Sequence, residues 1–356
     1  MLMKLSGRIF RCFAPAIAIV MSLSGCGRGE VDQSQIPRAV NSAAPMGIDN
    51  PKRASFYNGL KGKRVIFIPI AMGLDITEAW YAGMKRQAND LGYSVEVRDP
   101  NASTEMGIRA MTSAIADRAD LIVLHNPDLQ SYAKLIRRAR DAGIKVLQLN
   151  MEALQSSDSY VGGDWVKVGE QSTEVLAKTC APGRGSSNKI AFVTGTPTGA
   201  ITVYALRGMS IALTRHPEIK LVAVQAGNYD PVKEKSITAT ILQQHPDLCG
   251  IMGIWDLSDT GIGSAVVEAG KASQVNVLTV GPGSKTSCDN IHKGIFSTIV
   301  NYNLAAQVNV LNQQITELLL SPDKAGSTQT SYFSPLTVVT KSNATGRNCW
   351  TMEDFR

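Results

Sequence analysis

The sequence predicts an α/β protein built from two doubly wound parallel sheets. From residue 61 onward, short apolar runs alternate with segments whose apolar residues recur at helical spacing. The runs are rich in β-branched residues and lack polar alternation, as in residues 64–70 (RVIFIPI), which is typical of strands buried on both faces. Parallel neighbouring strands need crossover connections, and the intervening helices supply them. The units form two sets of similar layout, which favours two sheets over one sheet of about ten strands.

Residues 1–25 have the layout of a secretory signal: basic residues and no acid, an apolar run over residues 12–23, then small residues leading to Cys26. The run is about half of the ~20 residues that a membrane-spanning helix needs. An uncleaved anchor helix or a buried N-terminal helix is the alternative. The segment resembles the lipobox of bacterial lipoproteins. This resemblance implies an exported protein, held on the cell envelope by lipid on Cys26, with Gly27 slightly favouring the outer membrane.

The segment after the signal differs in composition from the rest of the chain. It is polar and rich in small residues, carries Pro37, Pro45 and Pro51, and shows no apolar period. Such a stretch has too little apolar surface to form a core of its own. We therefore interpret residues 26–60 as a flexible tether between the lipid and the first domain.

The two sets of units follow one another along the chain. In the first set, the expected strands are residues 64–70, 94–97, 121–124 and 145–149, and the expected helices are residues 77–91, 105–116 and 129–142. In the second set, the expected helices are residues 166–178, 203–214, 232–244 and 260–269, and the expected strands are residues 189–194, 221–225, 250–254 and 275–280. Gly92 and Gly143 stop two helices of the first set.

The last segment does not extend the second set. It reads as a strand at residues 298–301, a helix at residues 304–320 and a strand at residues 336–340. An economical account is that the chain crosses back to the first domain and then returns, giving three crossovers. The predicted domains are therefore residues 61–164 with 301–328, and residues 165–300 with 329–356.

Composition excludes several classes of function. A hydrophobic content of 44% and a charged content of 19% are those of a globular protein. The net charge is +6, yet the densest basic group, Arg137, Arg138 and Arg140, lies on a predicted amphipathic helix and is best read as a solvated face. A nucleic-acid partner is thus not expected. With four histidines and no Cys-x-x-Cys spacing, neither a metal site nor a cofactor is expected.

Six short motifs follow one another in a characteristic order. They are residues 82–84 (AGM), 89–93 (NDLGY), 120–124 (DLIVL), 142–146 (AGIKV), 245–247 (HPD) and 253–256 (GIWD). Together they resemble the ribose-binding-like, type I periplasmic binding proteins over most of residues 61–340. The resemblance implies two Rossmann-like lobes, a three-strand hinge, a usual monomeric state, and a small polar ligand enclosed by hinge closure. Independently, ligands of open α/β sheets bind at the carboxyl ends of strands.

The cysteines fit an oxidising compartment. If Cys26 carries lipid, four remain after the signal, an even number: Cys180, Cys249, Cys288 and Cys349. The residues alone leave three pairings open. With the implied fold, the pairing that we expect is Cys180–Cys249 together with Cys288–Cys349.

In the resembled family, charged side chains at strand ends commonly hold sugar hydroxyls, because carboxylate and guanidinium groups bind pairs of hydroxyls. Several of these positions differ here. Asn150 and Met151 replace an acidic–basic pair, a family arginine falls on or near Ala205 beside Tyr204, and Gly283 replaces an aspartate. The implied pocket is less charged than that of an ordinary sugar clamp.

Other positions supply polar and aromatic groups. The terminal hinge amide is kept as Asn301, Tyr229 falls where an aromatic wall is expected, and Trp255 takes the place of a polar amide. Asp75, after the first strand, can supply the missing carboxylate. Aromatic rings would stack on the apolar face of a sugar, a polyol or a cyclic compound. A cation would also suit an aromatic box with one carboxylate.

The predicted ligand contacts come from strand ends and the loops after them. They are Asp75, Thr77, Asn150, Met151, Tyr204, Tyr229, Trp255 and Asn301. Each has a structural alternative: Asp75 and Thr77 are also candidate helix caps, and Trp255 could pack beneath the cleft. Trp80 and Trp165 lie within predicted helices and are interpreted as core residues.

The leading hypothesis is a substrate-binding lipoprotein of an ABC importer, which captures a small polar solute and presents it to a membrane permease. The alternative is a periplasmic sensor that reports ligand occupancy to a histidine kinase or chemoreceptor. Enzyme activity is not expected, because the sequence contains no Ser/His/Asp set, metal cluster or Gly-x-Ser-x-Gly motif.

Overall fold

The computed structural model describes residues 51–355. The predicted signal and Cys26, the predicted site of lipid attachment, lie outside the described residues, so the anchor remains a prediction. Within residues 51–355, every helix is too short or too polar to cross a membrane.

The described chain alternates strands and helices along most of its length. The strands are β1 (Arg64–Ile68), β2 (Ser94–Val97), β3 (Leu121–Leu124), β4 (Lys145–Leu149), β5 (Ser159–Gly162), β6 (Lys189–Thr194), β7 (Lys220–Ala226), β8 (Gly250–Met252), β9 (Asn276–Gly281), β10 (Thr298–Asn301), β11 (Thr330–Phe333) and β12 (Thr337–Val339). The helices are α1 (Pro51–Leu60), α2 (Asp75–Leu91), α3 (Thr104–Ala116), α4 (Ala133–Asp141), α5 (Trp165–Cys180), α6 (Ala200–Arg215), α7 (Pro231–Gln244), α8 (Thr260–Glu268), α9 (Lys285–His292) and α10 (Leu304–Leu320).

These strands form two six-stranded sheets, which confirms the predicted fold class. The first sheet has the order β2-β1-β3-β4-β5-β11, and all its neighbours are parallel. The second has the order β7-β6-β8-β9-β10-β12, parallel except for β12. Central strands such as β3 (LIVL) are buried along their whole length, because helices cover both faces of each sheet. We call the first sheet with α1–α4 and α10 the first lobe, and the second sheet with α5–α9 the second lobe.

Local sequence signals set several helix ends. Four helices begin with a side chain that accepts a hydrogen bond from a backbone N–H group of the first turn. These side chains belong to Ser103 in α3, Asp164 in α5, Asp230 in α7 and Ser284 in α9. Gly92 ends α2 in the left-handed conformation, which glycine adopts without steric cost. These caps place each helix start at the carboxyl end of a strand, on the side of the sheet where the loops carry functional groups.

The chain passes between the lobes three times, as expected. It leaves the first sheet after β5, returns after β10, and leaves again between β11 and β12. The predicted domain boundary at residue 328 was wrong, because Thr330–Phe333 pairs with Ser159–Gly162 in the first sheet. This strand was missed because its sequence, TSYF, alternates in burial at a sheet edge and lacks the apolar run of an inner strand.

The predicted tether also ends earlier than expected. Residues 51–60 form α1, which packs against α10, and Leu60 is completely buried in the core of the first lobe. The helix carries almost no apolar periodicity, because its contact with the core depends mainly on its last residue. Sequence pattern alone therefore could not separate it from the preceding polar segment.

Both expected disulfides are present. Cys180–Cys249 joins the end of α5 to the segment before β8. Cys288–Cys349 joins α9 to the C-terminal tail, whose Trp350 packs beside Ser284 at the end of the second sheet. Both bonds lie in the second lobe, and the first lobe holds no disulfide among its described residues.

Candidate functional site between the lobes

The topology brings the carboxyl ends of both sheets together. In each sheet, the connections on either side of the central pair run in opposite directions, at β1/β3 in the first lobe and β6/β8 in the second. Open α/β sheets bind ligands at such switch points. The loops that follow these four strands therefore border the candidate site, which we call the cleft.

Direct hydrogen bonds join the lobes at the cleft. The backbone N–H of Leu129, in the loop after β3, donates to the carbonyl oxygen of Thr198, after β6, at 3.3 Å. The indole N–H of Trp165, at the start of α5, donates to the carbonyl oxygen of Asn150, after β4, at 2.6 Å. Within the first lobe, the hydroxyl of Tyr160 donates to the same carbonyl at 3.1 Å. The lobes are thus in contact around the hinge.

Asp75 lies on the first-lobe rim of the cleft as the first residue of α2. Its side chain is exposed, and the helix has no side-chain cap at Leu74. Its carboxylate is near enough to act on Asp256 in the second lobe. Burial raises the pKa of Asp256 to about 7, and the negative charge of Asp75 adds to this shift. The charge of Asp75 thus acts across the cleft on a carboxyl group of the second lobe.

Asp256 itself is held firmly in the second lobe. Only 2% of the residue is exposed, and its carboxylate accepts a hydrogen bond from the hydroxyl of Ser287. A Cβ atom at position 281 would overlap this carboxylate, so Gly281 makes room for it. The hydroxyl of Tyr302 lies in the field of the same carboxyl group, which raises the pKa of Tyr302 after burial.

Tyr229 and Trp255 form an aromatic wall in the second lobe. Their ring centroids are 5.8 Å apart with an interplanar angle of 81°, an edge-to-face arrangement. Tyr229 has a left-handed backbone (φ 62), as does Asn228 (φ 61), and such conformations are unfavourable for side-chain-bearing residues. A Cβ atom at position 195 would overlap the Tyr229 ring, so Gly195 is required for this packing. The turn therefore holds the ring at this position.

A buried carboxyl pair lies beneath the aromatic wall. The carboxylate of Asp259 accepts three hydrogen bonds. Two come from the backbone N–H groups of Ile254 at 3.2 Å and Trp255 at 3.1 Å, and the third comes from the hydroxyl of Thr279. Glu234 lies beside it, and both residues have no exposed surface. Burial raises both pKa values, that of Glu234 to about 7. Two adjacent buried carboxyls repel when both are charged, so the pair holds a proton at neutral pH.

A third acidic group lies in the first lobe after β4. Glu152 is half-buried, and burial raises the pKa of its carboxyl group. Its charge acts on the hydroxyl groups of Tyr160 and Tyr204, whose pKa values are raised first by burial. Because Tyr204 belongs to α6 of the second lobe, the charge of Glu152 acts across the cleft.

A family model described as a periplasmic binding protein domain matches residues 65–322. The chain belongs to this family. It is 27% identical over 182 residues to a D-ribose/D-allose-binding protein of Pseudomonas aeruginosa, a match that covers 49% of this chain and only 56% of that relative. It is 22% identical over 237 residues to the ribose import binding protein of Bacillus subtilis, covering 66% of this chain and 73% of the relative.

Solved structures of periplasmic binding proteins share the fold. A glucose-galactose binding protein from Geobacillus stearothermophilus matches with a TM-score of 0.71 at 18% identity, covering 80% of this chain and 99% of that one. A solute-binding protein from Burkholderia graminis, solved with D-arabinose, matches with a TM-score of 0.72 at 19% identity, covering 80% and 97%. The named proteins are solute-binding proteins rather than enzymes, in agreement with the prediction that this chain is not an enzyme.

The structure brings some of the predicted contact residues together. Tyr229 and Trp255 are in contact, the charge of Asp75 acts on Asp256 next to Trp255, and the charge of Glu152 acts on Tyr204. These residues border the cleft of the binding protein from both lobes. They are the part of the predicted set that we retain as proposed ligand contacts.

Two other predicted residues have hydrogen bonds of their own. The hydroxyl of Thr77 is fully buried and donates to the carbonyl oxygen of Leu74 at 2.9 Å, inside the first turn of α2. The amide of Asn301 accepts the N–H of Asn303 at 2.7 Å and donates to the carbonyl oxygen of Asn348 at 3.3 Å. These bonds connect Thr77 to its helix and Asn301 to the hinge and the C-terminal tail.

Asn150 and Met151 lie at the hinge. Asn150 has a left-handed backbone (φ 61), and its side-chain oxygen lies 3.4 Å from the amide nitrogen of Gln307 on α10. Met151 is 7% exposed, and its carbonyl oxygen accepts the amide of Asn126 at 2.8 Å. Both residues thus position the strand end that receives the Trp165 indole, with little surface left toward a solute.

The position of the family arginine is also explained. Ala205 is completely buried, and its backbone packs so closely on Gly169 of α5 that a Cβ atom at position 169 would overlap it. Gly208 approaches Val166 in the same way. This tight contact between α5 and α6 leaves no room for a long side chain at position 205, so the second lobe offers no guanidinium there.

Sequence reasoning missed three residues of the cleft. They are Glu152, Asp256 and Tyr302. Asp256 directly follows Trp255, Glu152 comes two positions after Asn150, and Tyr302 directly follows Asn301. Each of the three is therefore, like its predicted neighbour, a residue with a polar group that comes just after an apolar strand. Which of two adjacent residues turns toward the opposite lobe depends on the loop, which the sequence pattern does not describe.

Trp80 and Trp165 are core residues, as interpreted from the sequence, with exposures of 0% and 4%. Trp80 packs edge-on against His125, with ring centroids 5.1 Å apart. Burial lowers the pKa of His125 to about 3, so this ring is neutral at physiological pH and adds no charge to the cleft.

One surface depression away from the cleft is apolar. A depression of ≈ 490 Å³ lies on α6 and the edge strand β7, lined by Leu206, Met209, Ser210, Leu213, Thr214 and Leu221. Its lining carries no charged side chain, whereas the cleft carries several. Among residues 51–355, no group of three or more His, Cys, Asp or Glu side chains is arranged to hold a metal ion.

Proposed function

We propose that this protein is the solute-binding component of an ABC importer and captures a sugar or sugar-like polar compound in the cleft. The observation that carries the proposal is the edge-to-face pair of Tyr229 and Trp255 at the carboxyl end of the second sheet, in a protein whose two lobes are joined by three crossovers. Carboxylates accept hydrogen bonds from sugar hydroxyl groups, and aromatic rings stack on the apolar face of a pyranose. Relatives named as ribose and apiose import binding proteins support the class of solute.

Hinge closure is the mechanism that this geometry favours. The bonds Leu129–Thr198 and Trp165–Asn150 join the lobes beside the cleft, and a solute between the lobes would add contacts that only the closed form provides. A ligand shifts the equilibrium between two forms by its difference in affinity for them. The closed form would then be the one that the permease receives.

Solute binding is tested with the mature protein, residues 26–356, carrying serine in place of Cys26. Thermal unfolding is measured with aldoses, ketoses, polyols and their derivatives, followed by titration calorimetry of the compounds that raise the melting temperature. A specific binder raises the free energy of unfolding by RT ln(1 + [L]/Kd). No stabilisation by any compound of these classes contradicts the proposal.

Import is tested separately from binding. Deletion of the gene should abolish uptake of the radiolabelled solute identified above, and the intact gene should restore it. Unchanged uptake contradicts the role in import and favours the alternative, a sensor of the same solute, which is then tested by the transcriptional response to that solute.

We also propose that lipid on Cys26 holds the protein at the outside of the membrane. The Cys26→Ala variant should accumulate as a precursor of lower mobility and should not incorporate labelled palmitate. Cys12→Ala, a cysteine change within the signal itself, is the matched control and should be processed normally. Normal processing and labelling of the Cys26→Ala variant contradicts the anchor.

A further inference from the structure

A carboxylate shapes the loop that follows β3. One carboxylate oxygen of Asp128 accepts the backbone N–H of Gln130 at 2.7 Å and that of Ser131 at 2.8 Å. The other oxygen accepts the hydroxyl of Ser131. A side chain that accepts the N–H two residues further along the chain forms an Asx turn, which fixes the backbone around it. The Asp128 side chain therefore sets the conformation of the backbone at Leu129.

The same loop is bound to the body of the first lobe. The carbonyl oxygen of Leu129 accepts the N–H of Leu154 at 2.7 Å. Asn126, near the start of the loop, is completely buried, and its amide donates to the Gln148 side chain at 2.7 Å and to the carbonyl oxygen of Met151 at 2.8 Å. The peptide unit of Leu129 thus lies between two sets of hydrogen bonds that hold it in place.

The N–H group of Leu129 reaches the second lobe. It donates to the carbonyl oxygen of Thr198 at 3.3 Å, a contact that we call the closing bond. Thr198 lies in a turn between β6 and α6, in which the N–H of Gly199 donates to the carbonyl oxygen of Thr196 at 3.0 Å. Both partners of the closing bond therefore belong to turns that are shaped within their own lobes.

The closing bond lies away from the crossovers that form the hinge. The chain crosses between the lobes at β5 and β11 of the first sheet and at β10 and β12 of the second. In the order of the sheets, β3 is two strands from β5, and β6 is three strands from β10. Neighbouring strands are about 4.8 Å apart, so the closing bond lies roughly 10 to 14 Å from the hinge. A lobe rotation of about 10° moves atoms at this radius by about 2 Å, which is enough to break a hydrogen bond.

The bond from the Trp165 indole to the carbonyl oxygen of Asn150 differs in this respect. Trp165 begins α5 directly after the first crossover, where a rotation of the lobes displaces atoms least. This bond therefore ties the hinge itself, whereas the closing bond forms only when the lobes come together.

We infer that Asp128 is a positioning residue for closure: its carboxylate holds the Leu129 N–H where Thr198 accepts it, and the closing bond favours the closed form of the cleft. This inference rests on the proposed function, because it concerns closure of the same cleft. One intramolecular hydrogen bond shifts an equilibrium about fivefold. Because the shift acts on closure alone, it changes the affinities for all solutes by the same factor and leaves the preference among them unchanged.

The first experiment measures closure without any solute, so its outcome does not depend on whether a sugar binds. Leu129→Cys and Thr198→Cys are introduced together into the mature protein that carries serine in place of Cys26. The two Cα atoms lie within about 7 Å across the closing bond, close enough for a disulfide. Adding Asp128→Ala should slow disulfide formation about fivefold, and Asp128→Asn, which keeps an acceptor oxygen, should restore most of the rate. Ser103→Ala, which removes a helix cap of the same lobe, is the matched control and should leave the rate unchanged.

The second experiment measures opening in the protein without the added cysteines. Hydrogen exchange is followed at residues 196–203, which belong to the other lobe, so loosening of the Asp128 loop alone does not reach them. Asp128→Ala should accelerate exchange there about fivefold, and Asp128→Asn should accelerate it much less. Disulfide formation shows the shift when the open form predominates, and hydrogen exchange shows it when the closed form predominates.

The two experiments together decide the role of Asp128. A change in either measurement that Asp128→Asn reverses supports the inference. Unchanged disulfide formation together with unchanged exchange at residues 196–203, or acceleration confined to the loop around Asp128, overturns it and assigns Asp128 a local structural role. That outcome leaves solute capture standing, whereas a failed thermal screen contradicts solute capture without affecting either measurement of closure.

Discussion

The two edges that face the cleft use their polar groups differently. In the first lobe, Asn126 and Asn150 are bound into the hinge, while Asp75 and Glu152 accept no hydrogen bond from the described residues. In the second lobe, Asp256 and its neighbours are deeply buried behind an aromatic wall. The first lobe thus offers accessible carboxyl groups beside the hinge, and the second offers an aromatic surface over buried carboxyl groups whose pKa values are raised.

This contrast extends to the way each lobe is stabilised. The apolar core of the first lobe, in which β1 and β3 are buried with the α2 and α10 helices, continues into the second lobe. The second lobe adds two disulfides and the C-terminal tail.

The largest expected effect concerns the disulfides. For cross-links 69 and 61 residues apart, loss of either bond should reduce the free energy of unfolding by about 4 kcal/mol in the chain-entropy model. The double variants Cys180→Ser/Cys249→Ser and Cys288→Ser/Cys349→Ser are compared by urea denaturation. Hydrogen exchange should accelerate mainly in the second lobe. Equal acceleration in both lobes would contradict the proposed division of stabilising roles.

The buried carboxyl pair should make stability depend on pH. Below the ordinary pKa of a glutamate, about 4.5, the proton is bound in both the folded and the unfolded state. Between that value and about 7 only the folded state keeps it, so the contribution of Glu234 to stability is lost as pH rises through this window. Glu234→Gln should therefore gain on the order of 2 kcal/mol relative to the native protein between pH 5 and pH 8.

The measurement is urea unfolding of both proteins at several pH values in this window. Asp141→Asn, an exposed acid at the end of α4, is the matched control and should leave the pH profile unchanged. A constant difference between the Glu234→Gln variant and the native protein across the window would show that Glu234 keeps an ordinary pKa.

The aromatic wall should matter for binding more than for folding. Trp255→Ala should weaken solute binding more than tenfold, about 1.4 kcal/mol, because it removes one face of the site. Tyr57→Ala, a partly exposed aromatic residue on α1, is the control and should leave binding unchanged. Calorimetry measures the affinity and thermal unfolding checks the fold. If the affinity of the Trp255→Ala variant is unaltered, Trp255 is a core residue and does not contact the solute.

The smallest expected effect is a difference in stability between variants of two aspartates that lie at helix starts. Asp164 accepts the N–H of Lys167 at 2.9 Å and caps α5, so Asp164→Ala should cost about 1 kcal/mol of stability. Asp75 makes no such bond, so Asp75→Ala should cost less than about 0.5 kcal/mol, through the helix dipole alone. Urea unfolding measures both. A larger cost for Asp75 than for Asp164 would favour the capping alternative for Asp75.

Much of the fold could be predicted because it follows from local pattern. Continuous apolar strands, helical periodicity and stop glycines located most elements, and the alternation required parallel sheets with crossovers. The edge strand Thr330–Phe333 and the helix Pro51–Leu60 escaped prediction. Each has only one or two residues that pack on the core, and such contacts depend on the rest of the fold rather than on the segment.

The sequence by itself determined the two sheets, their three connections and the strand ends that border the cleft. Strands and helices could be located because the spacing of apolar residues that defines them is visible in consecutive residues. Only the tertiary structure decided which charged and polar groups act on one another: Asp75 on Asp256, Glu152 on Tyr204, and Glu234 on Asp259. These residues are far apart in the chain. Their proximity and burial, and hence their charge, arise only when both lobes have packed.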